Sequence, residues 1–176
     1  MQDYITYAKR QGIELLTEGP CQFCGAGLSG GVFECHENIH HLLKFLDYSN
    51  PHHYETRFLS VDAMALQHCE VHGPWNNHIH LTRLYLIFEH QIKWDYKKTP
   101  QLSNIINKYK KDKSETLTAP PPQQRGRITT VDLLEAKSEA EAIATVKLWA
   151  EGVFSAFNSH HPLVSTIARM YLDNYY

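Results

Sequence analysis

Residues 58–68 read Phe58-Leu59-Ser60-Val61-Asp62-Ala63-Met64-Ala65-Leu66-Gln67-His68, with Phe58, Val61, Ala65 and His68 spaced three, four and three apart. That period places the four on one side of an α-helix and does not suit a strand. The helix extends over about 52–69, since Asn50-Pro51 ends the segment before it and proline fits the first turn of a new helix. Gly73-Pro74 then separates it from a second amphipathic run over about 75–94, whose inward side includes His80, Leu84, Ile87 and Phe88. Upstream, about 34–48 carries Ile39, Leu42, Leu43 and Leu46 as an apolar stripe. Downstream, Ser138 and Glu141 form a capping box. Val146, Ala150, Val153, Phe157 and His160 continue from it at spacings of four and three until Pro162 stops or kinks the helix. No alternating strand pattern and no internal repeat intervenes. The predicted fold is all-α, an up-down four-helix bundle with an N-terminal Cys-rich zinc-binding loop and extra short helices.

The remaining segments fit around these helices. Residues 4–16 read as a helix interrupted by Gly12 that packs outside the main body. Residues 17–32, with Gly19-Pro20, Gly25, Gly27 and Gly30-Gly31, have loop chemistry. Residues 100–111 suit a short helix, and 112–127, containing Pro120-Pro121-Pro122, an extended connection. Thr129-Thr130-Val131-Asp132 opens a short helical turn, and a last helix covers 163–174. The 176 residues fit one domain: a metal-binding loop at 17–36, helices one to three at 37–94, a connection at 95–137, helix four at 138–161 and a terminal helix at 162–176.

Hydrophobic residues make up 43% and charged residues 20%, and the net charge of −2 argues against a nucleic-acid-coating surface. Lys93 to Lys113 is locally basic and reads as a solvated helix face with a loop. No stretch approaches the ~20 apolar residues that cross a bilayer. Asp3, Lys9, Arg10 and Glu14 rule out a secretory apolar core at the N-terminus. The expected location is the cytoplasm, where clustered thiols more often bind metal than pair as disulfides. The expected partner is a small molecule or a protein, not nucleic acid or membrane.

Cys21-Gln22-Phe23-Cys24-Gly25 places two thiols around a tight turn, with a glycine that tolerates positive φ. Alone, the pair also fits two unrelated thiols or a redox couple, but the βαβ pattern that accompanies the latter is missing. Cys35 supplies a third thiol at the start of helix one. Short links make helices one to three antiparallel neighbours, and the long connection lets helix four end where helix two ends. Cys35, His68, His80 and His160 with His161 then share one end with the Cys21–Cys24 loop. Thiolates and imidazoles together suit zinc, held by four ligands. The expected metal ligands are Cys21, Cys24, Cys35 and His68, with His36 competing for the fourth place and His80 and Cys69 behind. Asp62, about 9 Å from His68 along the helix, reads as a buried acceptor or an orienting group, neutralised by Arg57 or a hydroxyl. His40, His41, His52, His53, His72, His78 and His90 are assigned to the surface.

The run Arg57 to His68 also resembles a signature of an uncharacterised bacterial family, domain of unknown function 5946. The Cys21-Gln22-Phe23-Cys24-Gly25 loop, Cys35, His80-Leu81, Leu84, Phe88-Glu89, Thr130-Val131-Asp132-Leu133-Leu134, Trp149 and His160-His161 are similar to further parts of it. The likeness covers about residues 20–161. It departs at Cys69, where the family usually has proline. The resemblance supplies no activity. It implies that Cys21, Cys24, Cys35, Asp62, Gln67, His68, His80 and His161 are the positions of interest.

Three functions fit the sequence. The first is a closed structural zinc site beside a His-lined pocket in a bundle used for binding. The second, by fold-level analogy, is a metal-dependent enzyme of DinB-like type, a hydrolase or thiol transferase using histidines from helices two, three and four. The third is a metal-free interaction module. Three cysteines around one ion favour the first.

Overall fold

The computed structural model describes residues 2–110 and 117–175, and among these the fold is all-α. Lys111, Lys113 and the beginning of the connection read at 112–127 lie outside the described residues. The helices are α1 (Gln2–Gln11), α2 (Gly31–Asn38), α3 (Tyr54–Gln67), α4 (Pro74–His90), α5 (Lys98–Tyr109), α6 (Glu139–Ala156) and α7 (His161–Tyr175). No helix among the described residues is long and apolar enough to cross a membrane.

Local chemistry accounts for the helix ends. Asn50 accepts a hydrogen bond from the His52 amide and Pro51 opens the 3₁₀ turn that leads into α3. Gly73 and Pro74 start α4, which closes at Gln91 with φ of 55°, the left-handed conformation that glycine more often takes. The Ser138 side chain accepts from the Glu141 amide at 3.3 Å, while Glu141 Oε2 accepts from the Lys137 amide at 2.8 Å. The returning arm of the expected box therefore lands one residue earlier than Ser138.

Packing centres on α3 and α4. The main pairs are α3 with α6, α3 with α4, α4 with α7 and α5 with α7. Leu59, Ala63 and Leu66 of α3, Leu81 and Leu84 of α4, Val146, Ala150 and Val153 of α6, and Ile167 and Tyr171 of α7 are all buried in one core. α6 runs in the same direction as α3: His53 Nε2 lies 3.3 Å from Glu139 Oε1 at their starts, and the Trp149 indole donates to Gln67 Oε1 at 2.9 Å near the end of α3.

The central set differs from the one expected. Helix one is short, because α2 gives way at Ile39 to a 3₁₀ segment, Ile39–Lys44. The terminal helix α7, in contrast, packs on both α4 and α5. The phase of α3 also differs: Val61 is 40% exposed, whereas Asp62 is completely buried. Neighbours surround α3 on most of its circumference, so a stripe at spacings of three and four does not single out its solvent side. Nor does α1 merely lie outside, since its Tyr4 and Ala8 are buried.

The Gly-rich loop closes on itself. The Gly19 amide donates to Ser29 O at 2.7 Å and the Gly31 amide to Gly19 O at 2.9 Å. Gly31 has φ of 58°, and a Cβ there would stand 2.2 Å from Leu16 O. Gly31→Ala therefore lowers unfolding free energy by about 1–3 kcal/mol, read from the denaturant midpoint at unchanged slope. Gly27→Ala, with nothing within 4 Å of an added Cβ, stays within about 0.5 kcal/mol of the parent.

Candidate metal centre

Two backbone hydrogen bonds shape the turn that carries the first two thiols. The Gly25 amide donates to Cys21 O at 2.8 Å and the Cys21 amide to Ala26 O at 2.9 Å, with Gly25 at φ of 74°. Cys35 projects from α2 and His68 caps α3. One ligand atom from each of Cys21, Cys24, Cys35 and His68 lies within 4.8 Å of all the others, and all four residues are buried. Cys21 Sγ is 3.3 Å from His68 Nε2, Cys35 Sγ is 3.4 Å from it, and Cys24 Sγ is 3.6 Å from Cys35 Sγ. A tetrahedron with metal–sulfur bonds of about 2.3 Å has sulfur–sulfur edges of about 3.8 Å, close to these separations. The set can hold one metal ion.

The surroundings suit that use. His68 Nδ1 donates to Met64 O at 2.8 Å, which fixes the ring with Nε2 facing the thiols. Thr130 Oγ1 lies 3.2 Å from Cys35 Sγ, within hydrogen-bond reach. Hydrogen bonds from Cys24 and Cys35 draw the Cys21 thiol far below its ordinary range. Hydrogen bonds to Cys21 and Cys24 hold the Cys35 thiol far above it. Burial pushes His68 down, but hydrogen bonds to Cys21 and Cys24 outweigh it and bring His68 up to about 10. The cluster thus keeps protons that an arriving cation would displace.

Arg125 ties these parts together. Its buried guanidinium donates to Phe23 O inside the cysteine turn at 3.0 Å, to Gln67 O at 2.9 Å and to Pro120 O at 2.7 Å. It also pairs with Glu70, donating to Oε2 at 2.8 Å and to Oε1. Gln67 Nε2 returns hydrogen bonds to Arg125 O at 3.0 Å and Ile128 O at 2.8 Å. Gln67 is therefore a tie between α3, α6 and the connection. Tyr4 covers the far side, its ring edge-on to those of His68 at 6.2 Å and His72 at 5.0 Å.

The other expected site residues lie elsewhere. His36 is not part of the donor group and packs edge-on against Tyr4, with ring centroids 5.3 Å apart. Asp62 receives His80 Nδ1 at 2.7 Å and a two-pronged ion pair from Arg83, whose Nε is 2.7 Å away. Its neutralising partner is thus Arg83 and not Arg57, because Arg83 lies within reach on the facing turn of α4. His160 and His161 do not join the cluster. His160 Nε2 bonds Thr118 O at 2.8 Å, and His161 stacks on Phe154 at 4.1 Å and bonds Phe154 O at 3.1 Å. α6 ends at Ala156, and these two histidines belong to the turn that carries the chain into α7. His53 and His78, assigned to the surface, are buried. Cys69 Sγ is directed at Glu70, 3.7 Å from Oε2.

Sequence reasoning missed Tyr4, Arg83, Arg125 and Thr130 as parts of this end of the molecule. Arg83 had a local signal, the one charged residue in the run Leu81 to Phe88. Arg125 had none, because a cation in a Pro-rich connection reads as solvated.

Residues 19–158 match a family of unknown function, DUF5946. The chain belongs to that family. No curated protein and no solved structure matches the chain. The matched span contains all four donors, with Asp62, Gln67, His80 and Arg125, and stops before His160 and His161.

Arg125→Ala strands three carbonyls and the Glu70 carboxylate, lowering stability by about 2–4 kcal/mol in chemical denaturation. His72 is pushed down to about 3, first by burial and then by His80, His68 and His36. Its folded value lies below the ordinary ~6.5 of free imidazole. Its share of stability is therefore complete above pH 6.5 and is lost as pH falls towards 3. His72→Gln makes the fall of the melting temperature between pH 6.5 and 4 shallower.

Proposed function

We propose that Cys21, Cys24, Cys35 and His68 hold one structural zinc ion that fastens the Gly-rich loop and α2 to the end of α3. The observation that carries this reading is the donor set itself: three thiols and one imidazole, all buried, with ligand atoms mutually within 4.8 Å. Soft thiolates with an imidazole select zinc among the common ions, and four protein ligands complete its tetrahedron. A closed shell of this kind supplies folding energy and leaves no position for a substrate. The cytoplasm, a reducing compartment, suits four free cysteines.

The metal then serves a binding protein. Beside it, α1, α3 and the 3₁₀ segment Ile39–Lys44 line an open cavity of about 370 Å³, with Tyr4, His36 and His72 among its walls. That volume falls in the range of small-molecule sites.

Protein purified without added metal should contain about one zinc per chain by elemental analysis. Cys24→Ser should lose most of that zinc and melt about 10 °C lower or more. Zinc-free protein with an unchanged melting temperature overturns the reading.

A further inference from the structure

The cavity beside the metal centre has a lopsided charge. α3 lays Arg57, Ser60, Val61, Met64 and Ala65 along it, so the guanidinium stands at one end and an apolar floor from Val61 to Ala65 runs beyond it for about one helical turn, some 6 Å. Ile39 and Leu43 form the facing wall. Val61 and Leu43 are 40% and 57% exposed, large apolar side chains at the mouth of a cavity instead of in the core. The far end is closed by Tyr4 and His72, joined by a hydrogen bond of 3.1 Å.

No aspartate or glutamate lines the cavity among the described residues. Arg83 and Arg125 are neutralised by Asp62 and Glu70. For Arg57, no carboxylate among the described residues comes within ion-pair distance. Its guanidinium is braced instead, 5.4 Å from the Tyr48 ring and 5.1 Å from the Tyr96 ring, with Nη1 donating to the Tyr96 hydroxyl. The brace fixes the planar fork before any ligand arrives and leaves other N–H groups to donate. A pre-ordered, uncompensated guanidinium at the end of an apolar trough recognises a planar anion attached to an apolar body.

We propose that this cavity binds a small organic monocarboxylate with an apolar body, its carboxylate on Arg57 and its hydrocarbon on Ile39, Leu43, Val61 and Met64. The inference rests on the structural-metal reading for one wall only. Met64, in the floor, accepts the His68 hydrogen bond, and Tyr4 packs against His68.

The test uses 3-phenylpropanoate, 3-phenylpropan-1-ol and 3-phenylpropylamine, titrated into the whole protein by calorimetry, with zinc measured in the same samples. The acid should bind with a dissociation constant of about 0.1–1 mM. It should bind at least about ten-fold more tightly than the alcohol, and the amine should give no heat. Arg57→Gln should weaken the acid by about ten-fold or more while zinc content and melting temperature stay near the parent values. Val61→Trp, which fills the trough from its exposed side, should abolish binding and keep the fold. Equal binding of acid, alcohol and amine, or undiminished acid binding by Arg57→Gln, overturns the proposal. One zinc per chain with no acid binding overturns it and leaves the structural metal standing. Acid binding by zinc-free protein does the reverse.

Discussion

Three thiols and an imidazole crowded within 4.8 Å of one another in the protein interior set the terms for everything around them. Buried thiolates need compensating positive charge, and a soft divalent cation supplies it with directional bonds. Without such an ion the donors satisfy one another by sharing protons. With one they release those protons and fix three chain segments at a point. The Gly-rich loop already buries Phe23 and Ala26 and closes on its own backbone hydrogen bonds, and a cation at that point would tie it to α2 and α3.

A second layer of polar ties makes the point rigid. Arg125 joins the cysteine turn, the end of α3 and the Pro-rich connection, and Gln67 joins the same connection to Trp149 of α6. Each of these groups is buried, so each must be paired, and each pair links segments far apart in the chain. The core pins α3 and α6 in parallel, the polar ties bring the connection across their ends, and the three thiols and the imidazole then face one another. The cavity beside them uses the same parts: the Met64 carbonyl takes the His68 hydrogen bond and Tyr4 spans from the His68 imidazole to His72.

The sequence showed much of this architecture, though not the contacts that shape it. The all-α class, the breaks at Asn50-Pro51 and Gly73-Pro74 and the cap at Ser138 arise from local chemistry, and so does the tight turn between Cys21 and Cys24. The solvent side of α3 does not: Val61 stands out and Asp62 is buried because α4 brings Arg83 and His80 to that carboxylate. The convergence drawn for His160 and His161 fails for a similar reason. A helix can share the direction of its neighbour and still end short of its last periodic residue, and α6 stops at Ala156.

Spacing and residue type alone determined that this chain is helical, that it carries a paired-thiol turn, and that His68 stands where a helix ends; Cys35, expected at a helix start, lies in the middle of α2. These are local matters, governed by backbone preference within a few residues. Which donors face one another, which arginine neutralises which carboxylate, and which arginine is left uncompensated above an apolar trough were decided only in three dimensions. Pairing of buried charges depends on distances between segments tens of residues apart, and no local pattern encodes those distances.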